Sequence, residues 1–229
     1  DFNQPDYGEL NFADQVLIAP GSSFKPYDYT SLINDKAYNA GAGSVLYDSQ
    51  GPIVDPATGS GYACTNTSSP RASSGANCLW DYDFRYPGPL TLRYAIGGSR
   101  NVPAVKAMVQ AGVSKTISLA SAMMDNEYLQ SLKQNTYNCY KSGTDLGTAT
   151  AQDIAPCYAS SAIGDGAFLH LDDHVNGLAT LARLGNAIPR TFILSIKDDN
   201  GNTIYNWTQP KGNQVISPDT AYIMDNMLS

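Results

Sequence analysis

A serine and a lysine near the start of the chain have the spacing of a nucleophile and its base. They are Ser22 and Lys25, in the segment APGSSFKP at residues 19–26. If Gly21 opens a helix, residues three apart lie on one face, and the Lys25 amine can reach the Ser22 hydroxyl. A lysine can take a serine proton when its amine is partly desolvated or lies near another cation. Because Ser-x-x-Lys also occurs by chance, a solvent-facing helix start is the alternative interpretation.

The helix that must position this pair is predicted to begin after Gly21, to run to about Tyr38 and to stop at Gly41. Pro26 lies in its first turns and has no N–H, so an early carbonyl such as that of Ser22 lacks its helical donor and a local irregularity is expected. The free N–H groups of a helix start suit a developing oxyanion at the serine. The residues expected to face the core are Tyr29, Leu32, Ile33 and Tyr38.

Further helices and one hairpin are predicted from periodicity and turn signals. The helical ranges are 90–98, 102–111, 113–124, 172–184 and a last helix that starts at Ser217-Pro218-Asp219. Residues 172–184 are expected to bury Val175, Leu178, Leu181 and Leu184. An Asp-Asn-Gly turn at 199–201 joins two β-rich runs, 191–196 and 203–207, into a hairpin. Residues 41–80 are predicted to form a long loop insertion with a short strand at 44–47.

The overall composition favours a globular domain and excludes one class of partner. The chain has 229 residues and a net charge of -7, with a pI near 4.6. Binding to a phosphate backbone needs a clustered basic surface, which the sequence lacks, so nucleic acid is not expected as a partner. No apolar run is long enough to cross a bilayer, and residues 1–7 lack the features of a signal peptide.

Four cysteines at positions 64, 78, 139 and 157 allow three disulfide pairings. The sequential pairing, Cys64 with Cys78 and Cys139 with Cys157, closes two local loops and is favoured. The flanking residues are polar and bury little, so a crosslink worth about 3 kcal/mol would help to order them. Disulfides indicate a compartment outside the cytoplasm. Four buried thiols are the alternative, and zinc is disfavoured because no Cys-x-x-Cys spacing is present.

Two histidines, His170 and His174, are four residues apart and would share one face of a helix, with Asp172 and Asp173 between them. A metal site needs a third ligand in place, and the sequence supplies none. A surface helix start is therefore the preferred interpretation, and no metal or cofactor is expected.

A second motif, Ser-x-Asn at 99–101, follows the Ser-x-x-Lys, and this pair is found with a Lys-Ser/Thr-Gly strand in penicillin-binding proteins and class A β-lactamases. The surrounding sequence resembles the transpeptidase domain of bifunctional (class A) penicillin-binding proteins. Residues 15–26 (QVLIAPGSSFKP) resemble the nucleophile segment, and residues 82–95 (YDFRYPGPLTLRYA) with 99–106 (SRNVPAVK) resemble the second-motif segment. Residues 162–166 (AIGDG), with the helix and hairpin after them, resemble the stretch before the third motif. The resemblance covers nearly the whole chain.

This resemblance implies a D,D-transpeptidase domain that acts on the D-Ala-D-Ala end of peptidoglycan stem peptides and is acylated by β-lactam antibiotics. It also implies a role for each residue. Ser22 attacks the penultimate carbonyl and forms an acyl-enzyme, and Lys25 takes its proton. Ser99 relays a proton towards the leaving amine, and Asn101 holds the acyl-side amide and contacts Lys25. Ser99 and Asn101 are also residue types that cap helices.

The third motif of the family lies on a strand after the segment that residues 217–228 resemble, and the sequence ends before it. Lys141-Ser142-Gly143 is interpreted as a turn, because it precedes residues 163–166 and lies in a polar loop. The chain alone is therefore expected to be weak or inactive, since the loss of one oxyanion donor typically costs about 10²–10³ in rate.

The sequence thus predicts one partial transpeptidase domain over residues 1–229, with an α+β, β-lactamase/transpeptidase-like fold. An antiparallel sheet, formed in part by residues 191–207 and the N-terminal segment, packs against a helical cluster and lacks its C-terminal strands. The resemblance implies a location on the extracytoplasmic face of the bacterial cell membrane, with a glycosyltransferase domain and a membrane anchor elsewhere in the protein. The alternatives are a non-catalytic scaffold of the same fold, a serine β-lactamase, for which no water-activating carboxylate can be assigned, and a D,D-carboxypeptidase.

Overall fold

A computed structural model describes residues 8, 10–54, 59, 61–64, 78–124, 139–140, 152, 154–155 and 157–229. Within these ranges lie six α-helices and two 3-10 turns, at Gly21–Phe24 and Ala159–Ile163. The helices are α1 (Lys25–Asn34), α2 (Leu92–Gly97), α3 (Asn101–Ala111), α4 (Val113–Met124), α5 (Leu171–Ala182) and α6 (Pro218–Leu228). No described helix has both the length and the apolar composition needed to span a bilayer.

The described strands are short and form five antiparallel pairs: β1 with β4, β2 with β3, β5 with β6, β7 with β10, and β8 with β9. Helices and antiparallel strands in one chain confirm the α+β class. The strands are β1 (Val45–Asp48), β2 (Ile53–Val54), β3 (Gly61–Tyr62), β4 (Gly88–Thr91), β5 (Cys139–Tyr140), β6 (Ile154–Ala155), β7 (Asn186–Ala187), β8 (Ser195–Lys197), β9 (Thr203–Asn206) and β10 (Asn213–Gln214).

Helix α1 lies at the centre of the molecule and contacts α3, α4 and α6. Phe24, Tyr27 and Tyr29 around its start are fully buried, as are Val105 and Met108 of α3. Burial of this many large side chains holds α1 rigidly, because a well-packed interior leaves few voids. The residues that flank α1 in the sequence are therefore held in position as well.

Helix α1 is shorter than expected and ends at Asn34 rather than near Tyr38. Asp35 leaves the helical conformation with ψ 104, and its carboxylate accepts the Ala37 N–H at 3.0 Å and the Lys115 amine at 2.6 Å. Such local bonds from aspartate to the backbone compete with helix continuation. The expectation that Tyr38 is buried is also wrong, since 40% of it is exposed.

The predicted helix at 90–98 begins two residues late. Leu90 belongs to β4 and lies opposite Leu46 of β1, and Thr91 caps α2 by accepting the Tyr94 N–H. A strand therefore leads directly into the helix. Because strand and helix follow one another within nine residues, the spacing of the apolar residues predicts a single helix there.

The buried face of α5 differs from the expected one. Leu181 is buried as predicted, but Val175 is 58% exposed and Leu184 is 51% exposed. The buried positions are mostly polar: Asp173, His174, Asn176, Gly177, Thr180 and Leu181. Polar side chains are stable there because they bond to backbone carbonyls. Asn176 donates to the carbonyl of Met124 at 2.9 Å, and Thr180 donates to that of Met123 at 2.8 Å.

The predicted hairpin is present as β8 and β9, but the larger sheet assigned to it is not observed among the described residues. All strand residues of the hairpin are exposed. The described N-terminal residues pair elsewhere, through a bridge between Ile18 and Leu169. The expectation that this hairpin and the N-terminal segment share a sheet is therefore wrong for the described part of the chain.

Both predicted disulfides are confirmed, Cys64–Cys78 and Cys139–Cys157. Cys139 is part of the main hydrophobic core, whereas Cys64 and Cys78 form a small separate cluster beside Trp80. The Lys141-Ser142-Gly143 segment and much of the 41–80 loop lie outside the described residues.

Candidate active site

The Ser22 turn, defined as residues 20–25, contains the 3-10 turn Gly21–Phe24 and leads into α1. Gly21 has φ +55, a left-handed conformation that glycine adopts without steric cost. The Lys25 N–H donates to the Ser22 carbonyl, so this i to i+3 bond supplies the donor that Pro26 lacks. The irregularity expected at Pro26 is therefore confirmed.

Gly164 packs directly against the Ser22 turn. Its φ is +76, and a Cβ on it would lie 2.2 Å from the Gly21 nitrogen. A contact this close leaves no room for any other residue at position 164. The 3-10 turn at Ala159–Ile163 is thus pressed against the backbone just before Ser22, which gives a structural reason for the AIGDG segment.

Lys25 is fully buried at the base of the turn, with 1% of its surface exposed. Its amine donates to the Ser99 carbonyl at 2.5 Å, to the Ser99 hydroxyl at 3.1 Å and to Asn101 Oδ1 at 2.7 Å. The structure therefore brings Lys25, Ser99 and Asn101 into direct contact across more than seventy residues of sequence.

Ser22 completes the group from the solvent side. It is exposed and lines a cavity of about 320 Å³ together with Lys25 and Ser99. Residues of α5 and α6, among them Leu178, Leu181 and Leu228, form the apolar part of the same cavity. Three of the four candidate residues thus share one opening, and the fourth, Asn101, is bonded to Lys25.

A larger cavity, of about 650 Å³, lies on another face of α5. Val175, Arg190 and Trp207 are among the residues that line it, and it includes none of the four candidate site residues. Size alone does not locate the candidate site, because of these two cavities it is the smaller one that Ser22, Lys25 and Ser99 line.

Ser99 and Asn101 are held by the backbone and by the loop before β4. Ser99 has φ +49, an uncommon conformation for a residue other than glycine. The Asn101 amide donates to the Trp80 carbonyl at 2.7 Å, which fixes its oxygen towards Lys25. Neither side chain caps α3, whose N-cap is Arg100. Instead, the Asp81 carboxylate accepts the Asn101 N–H at 2.5 Å.

Arg100, between the two motif residues, ties three parts of the chain together. Its guanidinium lies 2.6 Å from Asp48 and 2.9 Å from Asp83, and its Nε lies 3.5 Å from Asp81. It also donates to the Arg85 carbonyl. Because Asp48 belongs to β1 and the other acids to the loop before β4, this ion-pair cluster anchors the second motif to both.

The electrostatics of the site favour proton transfer near neutral pH. Burial lowers the pKa of Lys25 to about 8, opposing the nearby Asp81 and Asp28 carboxyls, which raise it. Burial and a hydrogen bond with Asp48 raise the pKa of Asp81 to about 7. Burial also raises the pKa of Asp28 well above its usual range. An amine with a pKa close to the working pH can act as a general base.

His174 corrects one interpretation of the sequence, because it is not on the surface. It is 6% exposed, and its Nε2 lies 2.9 Å from the Ser23 hydroxyl. Its Nδ1 lies 3.0 Å from the Tyr27 hydroxyl. Sequence reasoning missed this contact, since no local pattern links residues 23 and 174.

His170, Asp172 and Asp173 bring their potential ligand atoms within 4.8 Å of one another. The guanidinium of Arg190 pairs with Asp172 at 2.8 Å and with Asp173 at 2.7 Å. The Arg190 guanidinium thus already lies between the two carboxylates and offsets part of their negative charge.

The chain is similar in sequence to Penicillin-binding protein 1A/1B of Bacillus subtilis (strain 168), with 26% identity over 227 residues. The match covers 99% of this chain and 20% of that protein, so the chain spans about a fifth of the curated relative's length. No protein-family model matches the chain.

Solved structures share its fold. Penicillin-binding protein A from M. tuberculosis, in an imipenem acyl-enzyme complex, matches with a TM-score of 0.69 and 17% identity. That match covers 98% of this chain and 46% of the other. The D,D-transpeptidase domain of a peptidoglycan glycosyltransferase from Eggerthella lenta matches with a TM-score of 0.66 and 18% identity, over 99% and 51% of the two chains.

Proposed function

Because the chain is related in sequence to penicillin-binding proteins and has the fold of their transpeptidase domains, we propose that it is the acyl-transfer domain of a serine D,D-transpeptidase. Its substrate would be the D-Ala-D-Ala end of a peptidoglycan stem peptide, and β-lactams would acylate the same serine. The observation that carries the proposal is the buried Lys25 amine, which contacts Ser99 and Asn101 beneath the exposed Ser22.

In the proposed reaction, Lys25 accepts the Ser22 proton as the Ser22 oxygen attacks the penultimate carbonyl. The tetrahedral intermediate then expels terminal D-alanine, whose amine takes a proton through Ser99. An acceptor amine, or water in a carboxypeptidase, attacks the acyl-enzyme and releases Ser22. The pKa of Lys25, lowered to about 8 by burial, suits a group that must accept and return a proton.

Asn101 is proposed to hold the acyl-side amide of the substrate. Its own amide is bonded to the Trp80 carbonyl, and its oxygen is bonded to Lys25. A side chain fixed at both ends keeps its position before the substrate arrives, which lowers the entropic cost of a productive geometry.

We propose further that the third motif of the family, with its oxyanion donor, belongs to sequence beyond these residues. This chain would then be acylated slowly compared with the full-length protein, by about 10²–10³ for one missing donor. A membrane anchor, a glycosyltransferase domain and an extracytoplasmic location are parts of the same proposal. The two disulfides support that location, since disulfides persist in oxidising compartments.

The test is intact-mass analysis after incubation with penicillin G, followed by peptide mapping, on this chain and on the full-length protein that contains it. We expect one adduct, on the peptide that contains Ser22, formed faster in the full-length protein. Ser22→Ala should abolish the adduct, whereas Ser114→Ala, at an exposed serine of α4, should not affect it.

Three outcomes separate the alternatives. No adduct on either protein would refute the enzyme and favour a scaffold of the same fold. Rapid hydrolysis of the adduct would identify a β-lactamase. With a stem peptide as substrate, transfer to an added amine indicates a transpeptidase, and release to water alone indicates a carboxypeptidase.

A further inference from the structure

A chain of hydrogen bonds connects α5 to the Ser22 turn through three side chains outside the two motifs. His174 Nε2 lies 2.9 Å from Ser23 Oγ, and Ser23 Oγ donates to the Pro20 carbonyl at 2.6 Å. On the other side of the ring, His174 Nδ1 lies 3.0 Å from the Tyr27 hydroxyl. We call this the Ser23–His174–Tyr27 chain.

We assign the protons from the distances. The Ser23 hydroxyl lies closer to the Pro20 carbonyl, at 2.6 Å, than to His174 Nε2, at 2.9 Å, so its proton is assigned to the carbonyl and Nε2 carries hydrogen. Nδ1 then accepts from the Tyr27 hydroxyl, the shorter of two contacts open to that proton, since the His174 carbonyl lies at 3.2 Å. Every donor in the Ser23–His174–Tyr27 chain is satisfied when the imidazole is neutral.

Under this assignment, Ser23 is not an activated second nucleophile. A serine beside a histidine is the usual arrangement of an activated hydroxyl. Here, however, the proton of Ser23 points to the Pro20 carbonyl rather than to the imidazole, so His174 donates to Ser23 and does not act as its base.

Burial makes the Ser23–His174–Tyr27 chain of hydrogen bonds rigid. His174 is 6% exposed and Tyr27 is fully buried, and burial lowers the pKa of His174, which favours the neutral ring. The sequence also makes room for the tyrosine hydroxyl, because a Cβ on Gly177 would lie only 2.3 Å from it. A hydrogen bond shielded from water is costly to break, since its partners would remain unsatisfied.

We propose that His174 is a positioning residue for the nucleophile, and that it acts by holding Ser23 against the Pro20 carbonyl. The Ser23 N–H also donates to that carbonyl, at 3.3 Å, so two bonds from one residue close the turn around Ser22. The direction of the Ser22 hydroxyl follows from this closure. This role rests on the proposed function, because it concerns the same serine.

The test compares the rate constant for acylation by penicillin G in variants that keep or remove each bond. His174→Leu removes the donor, and His174→Gln keeps an amide N–H near the same position. Ser23→Ala removes the acceptor, and Ser23→Thr keeps a hydroxyl. We expect His174→Leu and Ser23→Ala to acylate between tenfold and a hundredfold more slowly, since a misplacement of about 1 Å can cost about a hundredfold.

His174→Gln and Ser23→Thr should recover most of that loss, and the double variant Ser23→Ala/His174→Leu should be no slower than either single variant. Equal losses in His174→Leu and His174→Gln would overturn the proposal, because packing would then be the whole role of His174. Unchanged rates in Ser23→Ala would overturn it as well. Ser23 is exposed, so its variants test the proposal even if His174→Leu does not fold.

Amide hydrogen exchange at residues 21–25 provides a readout that does not need acylation. We expect faster exchange in Ser23→Ala and His174→Leu than in Ser23→Thr and His174→Gln. If the unaltered protein forms no adduct but shows this difference, the proposed function fails while the positioning contact stands. The same exchange in all four variants would overturn the positioning role.

Discussion

Three oxygen atoms accept hydrogen bonds from the Lys25 amine, and burial opposes its charge. The acceptors favour the protonated form, but burial is the larger effect and brings the pKa to about 8. Asp81 is the first of the nearby carboxyls that raise it, and its own pKa, near 7, leaves it largely ionised when Lys25 titrates. An ionised Asp81 therefore keeps the pKa of Lys25 higher than burial alone would leave it.

The rate of acylation should rise as pH increases through about 8, because Lys25 must lose a proton to act as a base. In Asp81→Asn the rise should move to lower pH, since an ionised Asp81 raises the pKa of Lys25 and a neutral amide does not. The amide oxygen still accepts the Asn101 N–H. Adduct formation measured between about pH 6 and pH 10 checks this. A shift in the opposite direction, or none, would contradict it.

Asp28 is a second residue with a measurable consequence. It is fully buried, and neither of its carboxyl oxygens has a hydrogen-bond partner in the described structure. Burial raises its pKa, so the unfolded chain ionises first as pH rises above about 4. The free energy of unfolding contributed by this group therefore falls between that pH and the raised pKa of the folded state.

Asp28→Leu should stabilise the protein at neutral pH by about 1–3 kcal/mol, the usual cost of an unsatisfied buried polar group. Asp28→Asn is the matched control, since it removes the ionisation but leaves a buried polar group. Both variants should lose the part of the fall in stability with pH that Asp28 causes, and Asp28→Leu should gain more stability. Denaturant unfolding at about pH 4 and about pH 7 measures both effects. A destabilised Asp28→Leu would show that the carboxyl has a partner that matters.

At the scale of elements, hydrophobic periodicity located the helices but did not identify the buried face of α5. The pattern favoured Val175 and Leu184, whereas the structure buries Asn176 and Thr180. These two side chains donate to the carbonyls of Met124 and Met123, the last two described residues of α4. Since such partners come from distant sequence, a local period cannot reveal them.

The motifs of the candidate site were visible in the sequence, but the residues that hold them were not. Ser22, Lys25, Ser99 and Asn101 stand in short patterns with known spacing. Trp80 contributes only a backbone carbonyl, which has no sequence signature. The helix-start pattern predicts a surface position for His174, and nothing local points to its partner Ser23, 151 residues away. Positions that depend on tertiary contacts become visible only in the fold.

The contact between α1 and α5 depends on the absence of a side chain at Gly177. A Cβ there would lie 2.3 Å from the Tyr27 hydroxyl and 2.9 Å from Met124 Cγ. Gly177→Ala should therefore destabilise the protein by about 1–3 kcal/mol, as overpacking usually does, even though alanine favours a helix by about 1 kcal/mol. Gly97→Ala, at a helical glycine with open space, is the control and should be neutral or slightly stabilising. Thermal unfolding distinguishes the two, and a stable Gly177→Ala would refute the packing argument.

At the scale of the whole molecule, the two disulfides connect different parts of the structure. Cys139–Cys157 reaches into the main core, where Cys139 is 2% exposed. Cys64–Cys78 lies in a separate cluster beside Trp80, whose carbonyl holds Asn101. The sequence separations are similar, 14 and 18 residues, so the loop-closure model assigns about 3 kcal/mol to each crosslink.

Two such contributions, about 6 kcal/mol together, are comparable with the whole stability of an ordinary domain, about 5–15 kcal/mol. Reductant should therefore lower the thermal midpoint steeply.

Of the paired variants, Cys139→Ser/Cys157→Ser should lose more stability than Cys64→Ser/Cys78→Ser, because it also places a hydroxyl in the main core at position 139. Thermal unfolding with and without reductant measures both effects. An unchanged midpoint in reductant would show that the core alone sustains the fold, and equal losses in the two variants would show that chain entropy accounts for the whole effect.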